Sequence, residues 1–383
     1  LLKLSLAAAV AAGMFSGLSA QSLADAVKSI DVSGMTRARY THDKEDNGDG
    51  SDSKLHFKSI VDLKANIGQN FFVNVGGRYV SNDKGESESA VHGNKSVNND
   101  QFEIVNANFG AKVGGTTVTL GRQAVGAFFT DDMFGDGLKV VNKDIKGLTF
   151  AALYMDALEL DGDATLAQFL HKNGMGDIYA NNLYGAAIMG NFSPLSFQVW
   201  YASLVDIADV YAIELSKTFN FTKTASLGLK AQYAGSSANA LAESKGVGDS
   251  TFYALQIDTK VGMFDGAMGY VDYSTNDGKI GFVSLDDYGS FIVGEKGPYD
   301  WMGTYQVVDY TMFEGENKYF FLNAGLNLNP SWRLGLSYIS GSGEGNEGRD
   351  KDFSEIVARV QYAYNKNTKI QLWYSSADDD REE

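Results

Sequence analysis

The chain contains no cysteine and only three prolines among its 383 residues. The lack of cysteine excludes disulfide frameworks, thiolate metal sites and cysteine nucleophiles. The prolines stand at Pro194, Pro298 and Pro330, so nearly the whole chain is free of the residue that interrupts the hydrogen bonds of a β-ladder. A strand-rich fold is therefore permitted, whereas collagen-like and proline-rich folds are excluded.

Positive charge is also scarce. The chain carries 32 Lys and Arg against 48 Asp and Glu, which gives a formal net charge of −16. General nucleic-acid binding is disfavoured because it needs clustered basic residues that displace phosphate counterions. Hydrophobic residues make up 44% of the chain, so it has enough apolar surface to fold and wholesale disorder is not expected.

The one extended apolar segment lies at the amino terminus. Residues 1–20 contain Lys3, an apolar run from Leu4 to Phe15 and small residues ending at Ala20. This pattern predicts a secretory signal peptide, because a membrane-spanning helix needs roughly 20 apolar residues. Residues 21–383 contain no stretch long and apolar enough for such a helix, and they are predicted to form one domain. A soluble secreted protein and a membrane β-barrel remain as alternatives.

Apolar and polar residues alternate along most of the remaining chain. In one segment the apolar residues Leu55, Phe57, Val61 and Leu63 alternate with His56, Lys58, Asp62 and Lys64. A period of two predicts strands with one apolar and one polar face. Alternation alone does not distinguish a water-soluble sandwich, whose polar face meets water, from a membrane barrel, whose apolar face meets lipid.

The lengths of the connectors do distinguish these folds. Short connectors are predicted near residues 68–70, 112–115, 144–147, 191–194, 220–223, 262–263, 329–331 and 365–368. Long connectors are predicted at residues 43–53, 82–100, 124–137, 156–182, 203–209, 235–250, 275–317 and 341–352. Strict alternation of short and long connectors is typical of outer-membrane barrels, which have short periplasmic turns and long external loops.

The same scheme gives a strand count. Seventeen strands are readable, the last ending at Tyr374. An open edge would leave backbone groups unpaired in lipid, so an eighteenth strand beyond the given sequence is expected. The predicted fold is an all-β, transmembrane antiparallel β-barrel of 18 strands.

Several stretches carry a likeness to a known family. They are Lys3–Ala8, Asp31–Gly34 with Arg37 and Tyr40, Lys139–Asn142 followed by Gly147–Thr149, and Asn182–Ala187. In this order they resemble the Campylobacter-type (epsilonproteobacterial) major outer-membrane porins over nearly the whole chain. The resemblance implies a homotrimeric, water-filled channel in the bacterial outer membrane that passes ions and small hydrophilic solutes. Its expected surroundings are outer-membrane lipid and lipopolysaccharide, and its loops could also act in adhesion.

The resemblance also implies that the third long loop, Ala124–Gly137, folds into the barrel and narrows it. This loop carries Asp131, Asp132 and Asp136, while the polar faces of the wall carry Arg37, Arg39, Lys58, Arg78 and Arg359. Acidic groups opposite basic groups would create a transverse field that orients polar solutes. The alternative is that these are ordinary solvated lumen charges. Together with the net charge, the acidic loop predicts a preference for cations.

The position of Arg122 conflicts with the alternation of apolar and polar residues along its strand. It shares the parity of Val118 and Leu120, so an uninterrupted strand would place it in lipid at a cost of roughly 2–4 kcal/mol. A bulge at Gly121 would turn the side chain inward. The motif Leu120–Gln123 also resembles the strand that enters the inward-folded loop of trimeric porins. Arg122 is therefore predicted to lie at the pore constriction.

Catalytic and metal-binding signals are weak. None of the four histidines has a spacing known from hydrolases or zinc sites, and no phosphate-binding loop is present, so no enzymatic activity and no required cofactor are predicted. An outer-membrane enzyme and a secreted adhesin are the alternative functions. The resemblance implies a calcium ion near the constriction, with Asp136, or Asp132 in its place, Asp163 and Glu295 as ligands.

Overall fold

The computed structural model describes residues 30–44, 51–82, 101–131, 133–158, 181–276, 279–286, 288–294, 312–344 and 350–380. The predicted signal peptide lies outside these residues. The chain falls into two compact units. The first comprises Leu1–Ala124 and Phe134–Asn142, and the second comprises Val125–Met133 and Lys143–Glu383.

The first unit contains six strands. They are β1 (Ile30–Lys44), β2 (Ser51–Ile67), β3 (Phe71–Asn82), β4 (Gln101–Val113), β5 (Thr116–Ala124) and β6 (Phe134–Asn142). Each strand pairs antiparallel with the next one along the chain. Short turns at residues 68–70 and 114–115 join β2 to β3 and β4 to β5, so neighbouring strands form a meander.

The second unit contains eleven further long strands, which also form antiparallel pairs. They are β7 (Leu148–Leu158), β8 (Leu183–Phe192), β9 (Leu195–Leu204), β10 (Ala208–Asn220), β11 (Ala225–Ala238), β12 (Ser250–Val261), β13 (Phe264–Thr275), β16 (Asn317–Asn327), β17 (Trp332–Glu344), β18 (Asp350–Asn365) and β19 (Thr368–Asp379). A short helix α1 (Ala240–Ser244) and a separate pair of short strands, β14 (Ile280–Phe282) and β15 (Met312–Glu314), lie within the connectors. No helix in these described stretches is long and apolar enough to cross a membrane.

The seventeen long strands of the described residues agree with the number read from the sequence. Short and long connectors alternate along most of the chain, and Pro194 and Pro330 lie in short turns as predicted. The connector between β9 and β10 was predicted to be long, at residues 203–209, but it is a turn of residues 205–207 only. The third loop, predicted at Ala124–Gly137, is also shorter than expected and comprises residues 125–133. The reason is that the segment from Phe134 to Gly137 pairs with β5 and extends the ladder.

The two faces of the strands differ in exposure as the alternation predicted. Large apolar side chains of one parity are exposed, including Val32 at 70% and Leu336 at 50%, whereas Arg39 on the other parity is only 2% exposed. A water-soluble sandwich would bury the apolar face instead. The observed arrangement is what lipid requires, because the apolar face of a membrane barrel contacts hydrocarbon.

The inner faces of the second unit are less polar than the alternation predicted. Beside the long connectors they carry buried apolar side chains, among them Ala202, Val210, Ala234, Phe252 and Val271. These residues belong to one hydrophobic cluster with side chains from the third loop and from residues 282–293. Two connectors therefore fold against the inner faces of these strands and share a core with them.

Candidate functional site

A cluster of cationic side chains occupies the inner face of the first unit. Arg37 and Arg39 on β1 lie directly opposite Lys58 and His56 on β2 in the strand register. Arg39, His56 and Lys58 are buried, and Arg37 is half-buried. We call the Lys and Arg residues of this cluster, Arg37, Arg39 and Lys58, the cationic wall. They share one face because directly paired residues of an antiparallel ladder point to the same side of the sheet. His56 was not among the predicted site residues, although its parity matches that of Lys58.

Arg78 on β3 has an acidic partner that the sequence did not reveal. Its Nη2 atom lies 3.0 Å from Oε2 of Glu103 on β4, and its guanidinium lies 6.0 Å from the ring of Phe134. The strand register shifts at Gly76 and Gly77, and this bulge aligns Arg78 with Glu103. A Cβ atom at Gly77 would overlap the ring of Phe102, so any larger residue there would require this exposed ring to move. The two adjacent glycines, Gly76 and Gly77, are the sequence feature from which this bulge could have been predicted.

Arg122 and Asp136 form an ion pair between β5 and β6. They are directly paired in the register, with Nη1 of Arg122 3.2 Å from Oδ2 of Asp136 and with Nε 2.7 Å from the carbonyl oxygen of Ile104. Asp136 was predicted to belong to the third loop, but it lies on β6. Its carboxylate is 52% exposed.

The bulge predicted at Gly121 is not observed. The pairing of β5 with β4 and with β6 has no register shift there, and Gly121 instead adopts a positive φ of 113°. A continuous ladder places Arg122 on the same face as Leu120, two residues earlier. Its position at the constriction therefore stays a prediction. The carboxylate of Asp136 offsets the positive charge of Arg122.

The third loop belongs to the second unit. Asp131 is exposed, and its backbone N–H donates to Oδ2 of Asp286, 3.0 Å away. Asp132 lies outside the described residues. The segment around Asp286 belongs to the long connector between β13 and β16, and the sequence left open whether that connector covers the channel mouth. The structure places its residues 282–286 and 288–293 against the inner faces of the second unit.

A series of hydrogen bonds between polar side chains and the backbone attaches this connector to the strands. Gln232 on β11 donates to the carbonyl oxygen of Ser290 at 3.0 Å and accepts the backbone N–H of Ile292 at 2.8 Å. The same side chain donates to Glu214 on β10, which also accepts from Gln198 on β9. The side chains of Gln198, Glu214 and Gln232 lie on the inner faces of their strands. No sequence pattern identified them, because they are distant in the chain.

Arg359 lies on the inner face of β18 in the second unit. It is buried and its Nη1 atom donates to Oγ of Ser337 on β17 at 2.7 Å. Its parity was predicted correctly. The predicted transverse field stays a prediction.

The predicted calcium ligands are mostly outside the described residues, since neither Asp163 nor Glu295 is described. The third ligand, Asp136, already accepts from Arg122. Asp132, the alternative to Asp136, also lies outside the described residues, so the calcium site stays a prediction. Among the residues that the structure describes, no group of three His, Asp or Glu side chains is placed to hold a metal ion.

Comparisons with known proteins agree with this architecture. OpdK of Pseudomonas aeruginosa, an outer-membrane protein, superposes with a TM-score of 0.72 at 13% identity, covering 93% of this chain and 95% of OpdK. OccK5 (OpdH) of the same organism gives 0.70 at 15% identity, covering 93% and 94%. OccAB1 of Acinetobacter baumannii gives 0.67 at 14% identity, covering 91% of each chain. The chain therefore has the fold of outer-membrane β-barrel porins.

The sequence itself gives a family match. A family model described as Campylobacter major outer membrane protein matches residues 1–382. No curated protein shows significant sequence similarity to the chain.

Proposed function

Because the chain belongs to the Campylobacter major outer membrane protein family, we propose that it is a passive diffusion channel for ions and small hydrophilic solutes. The family and the fold place it in the outer membrane. The observation that carries the proposal is the division of the strand faces, with exposed apolar side chains on one face and buried cationic side chains on the other. The first face suits lipid, and the second lines a route on which charged solutes are stabilised. This function requires neither a nucleophile nor a cofactor.

Reconstitution in planar bilayers tests the channel. The purified protein should produce stepwise increases in current whose size rises in proportion to salt concentration, as expected for a water-filled pore. A series of uncharged solutes of graded size, added to reduce the conductivity inside the pore, measures its width. Absence of current from protein that shows a heat-dependent gel shift, and is therefore folded, would refute the proposal.

For inorganic ions we propose a modest preference for cations. The net charge of −16 and the exposed carboxylate of Asp131 favour cations at the channel. The cationic wall acts in the opposite direction, so the preference should be weaker than the net charge alone suggests. The reversal potential under a potassium chloride gradient measures it, and a value of anion-selective sign would contradict this part of the proposal.

We propose that the exposed apolar face is covered by outer-membrane lipid, by lipopolysaccharide and by two further copies of the chain in a homotrimer. Large apolar side chains on β10 and β18, such as Ile213 and Ile356, would contact these partners. Chemical cross-linking in mild detergent should give a ladder that ends at three subunits, and heating should convert it to monomers. A ladder that ends at one or two subunits would refute the trimer.

A further inference from the structure

Two connectors meet on the inner side of the second unit, and one carboxylate joins them. Asp286, in the long connector, is 2% exposed. Its Oδ2 atom accepts the backbone N–H of Asp131 and the backbone N–H of Met133, each at 3.0 Å. One oxygen atom thus binds two backbone N–H groups of the third loop, those of Asp131 and Met133.

Backbone hydrogen bonds extend this junction. The N–H of Leu285 donates to the carbonyl oxygen of Phe129 at 2.8 Å, and the N–H of Ser290 donates to that of Phe128 at 2.7 Å. The hydroxyl of Ser284 also donates to the carbonyl of Phe129, at 3.0 Å. The described residues of the third loop, 125–131 and 133, form no helix or strand, so these hydrogen bonds satisfy backbone groups that no ladder pairs.

An aromatic contact attaches the joined connectors to the strands. The ring of Phe291 lies 5.0 Å from that of Phe128 and 4.9 Å from that of Phe252 on β12, both edge to face. All three rings are buried. Such contacts hold the connector against the wall, and Asp286 in turn holds the third loop against the connector.

We propose that Asp286 is a positioning residue for the constriction: it holds the backbone at Asp131 and thereby sets how far the third loop narrows the channel. This inference rests on the proposed function as a diffusion channel. Removal of the carboxylate would leave two backbone N–H groups of the third loop without their acceptor, which costs free energy. The third loop would then move away from the connector.

The test compares single-channel currents of three variants in planar bilayers. Asp286→Ala should raise the population of channels with a displaced loop by about tenfold or more, observed as larger conductance and larger current noise. Asp286→Asn keeps an oxygen acceptor in the same place and should restore conductance close to that of the wild type. Asp249→Ala is the matched control, because Asp249 also accepts a backbone N–H, that of Ala238, but in a different connector.

A second measurement reports the loop directly. The chain has no cysteine, so Asp131→Cys introduces the only thiol. Its rate of modification by a charged methanethiosulfonate reagent should be higher when Asp286→Ala is also present, and unchanged when Asp249→Ala is present instead. A role of Asp286 in folding alone would lower the yield of folded protein without changing this rate.

Two results would contradict the role of Asp286, and a third would contradict the proposed channel function. If Asp286→Ala channels match the wild type in conductance, noise and thiol modification, the inference is wrong. If Asp286→Ala does not give folded protein, Phe291→Leu, which weakens the attachment but keeps the apolar contact, should change conductance in the same direction, and no change would overturn the inference. A wild-type protein without current would instead refute the proposed function.

Discussion

At the scale of single residues, the register of the strands decides which charged side chains meet on the inner faces. Arg39 and Lys58 lie on the inner face as expected, and the register brings His56 beside Arg39. The bulge in β3 aligns Arg78 with its partner Glu103. The extension of β6 into the predicted loop aligns Arg122 with its partner Asp136. Hydrogen bonds of this kind depend on register, which a single sequence does not specify to one residue.

Neutralising the cationic wall should increase cation selectivity. In the double variant Arg39→Gln with Lys58→Gln, the cation-to-anion permeability ratio should rise by roughly threefold, the factor that one kT of potential supplies. Asp131→Asn should lower the ratio. The reversal potential under a salt gradient measures both effects. Lys217→Gln is the control because Lys217 is exposed on the opposite face of β10, and an equal shift in this control would show that location is irrelevant.

At the scale of elements, each strand separates two environments, and the connectors alternate between short turns and long segments. Val360 on β18 is paired with Leu334 and Leu372, in a row of exposed apolar side chains. Gln361, the next residue, points to the other face. This alternation was visible in the sequence because it repeats in every strand and needs no knowledge of distant contacts.

A charge on the exposed apolar face of β18 should be costly. Val360→Lys should lower the free energy of unfolding by about 2–4 kcal/mol, because the ammonium group must enter hydrocarbon or distort the bilayer around it. Gln361→Lys, with the same charge on the inner face, should cost less than half of this amount. Denaturant unfolding in lipid vesicles measures both values, and equal costs would contradict the assignment of the two faces.

At the scale of the whole molecule, the excess of acidic residues should act over long distances and the cationic wall over short ones. Exposed charges are screened with a Debye length of about 10 Å at 0.1 M salt and about 3 Å at 1 M. The cation preference of the wild type should therefore decrease as salt rises at a constant concentration ratio. A reversal potential that does not change with salt would mean that groups in direct contact with the ions set the preference, rather than the net charge.

The sequence by itself determined the class of fold, the strand number and most of the order of short and long connectors, because these follow from a local period of two and from turn residues. The exception is the connector between β9 and β10, which is a short turn. The sequence also placed Arg37, Arg39, Lys58, Arg78 and Arg359 on inner faces. Only the tertiary structure showed the folding of residues 282–286 and 288–293 against the inner strands, the junction at Asp286 and the ion pair of Arg122 with Asp136. Contacts between distant residues leave no periodic signal, since their geometry exists only after the strands have paired and the connectors have packed on them.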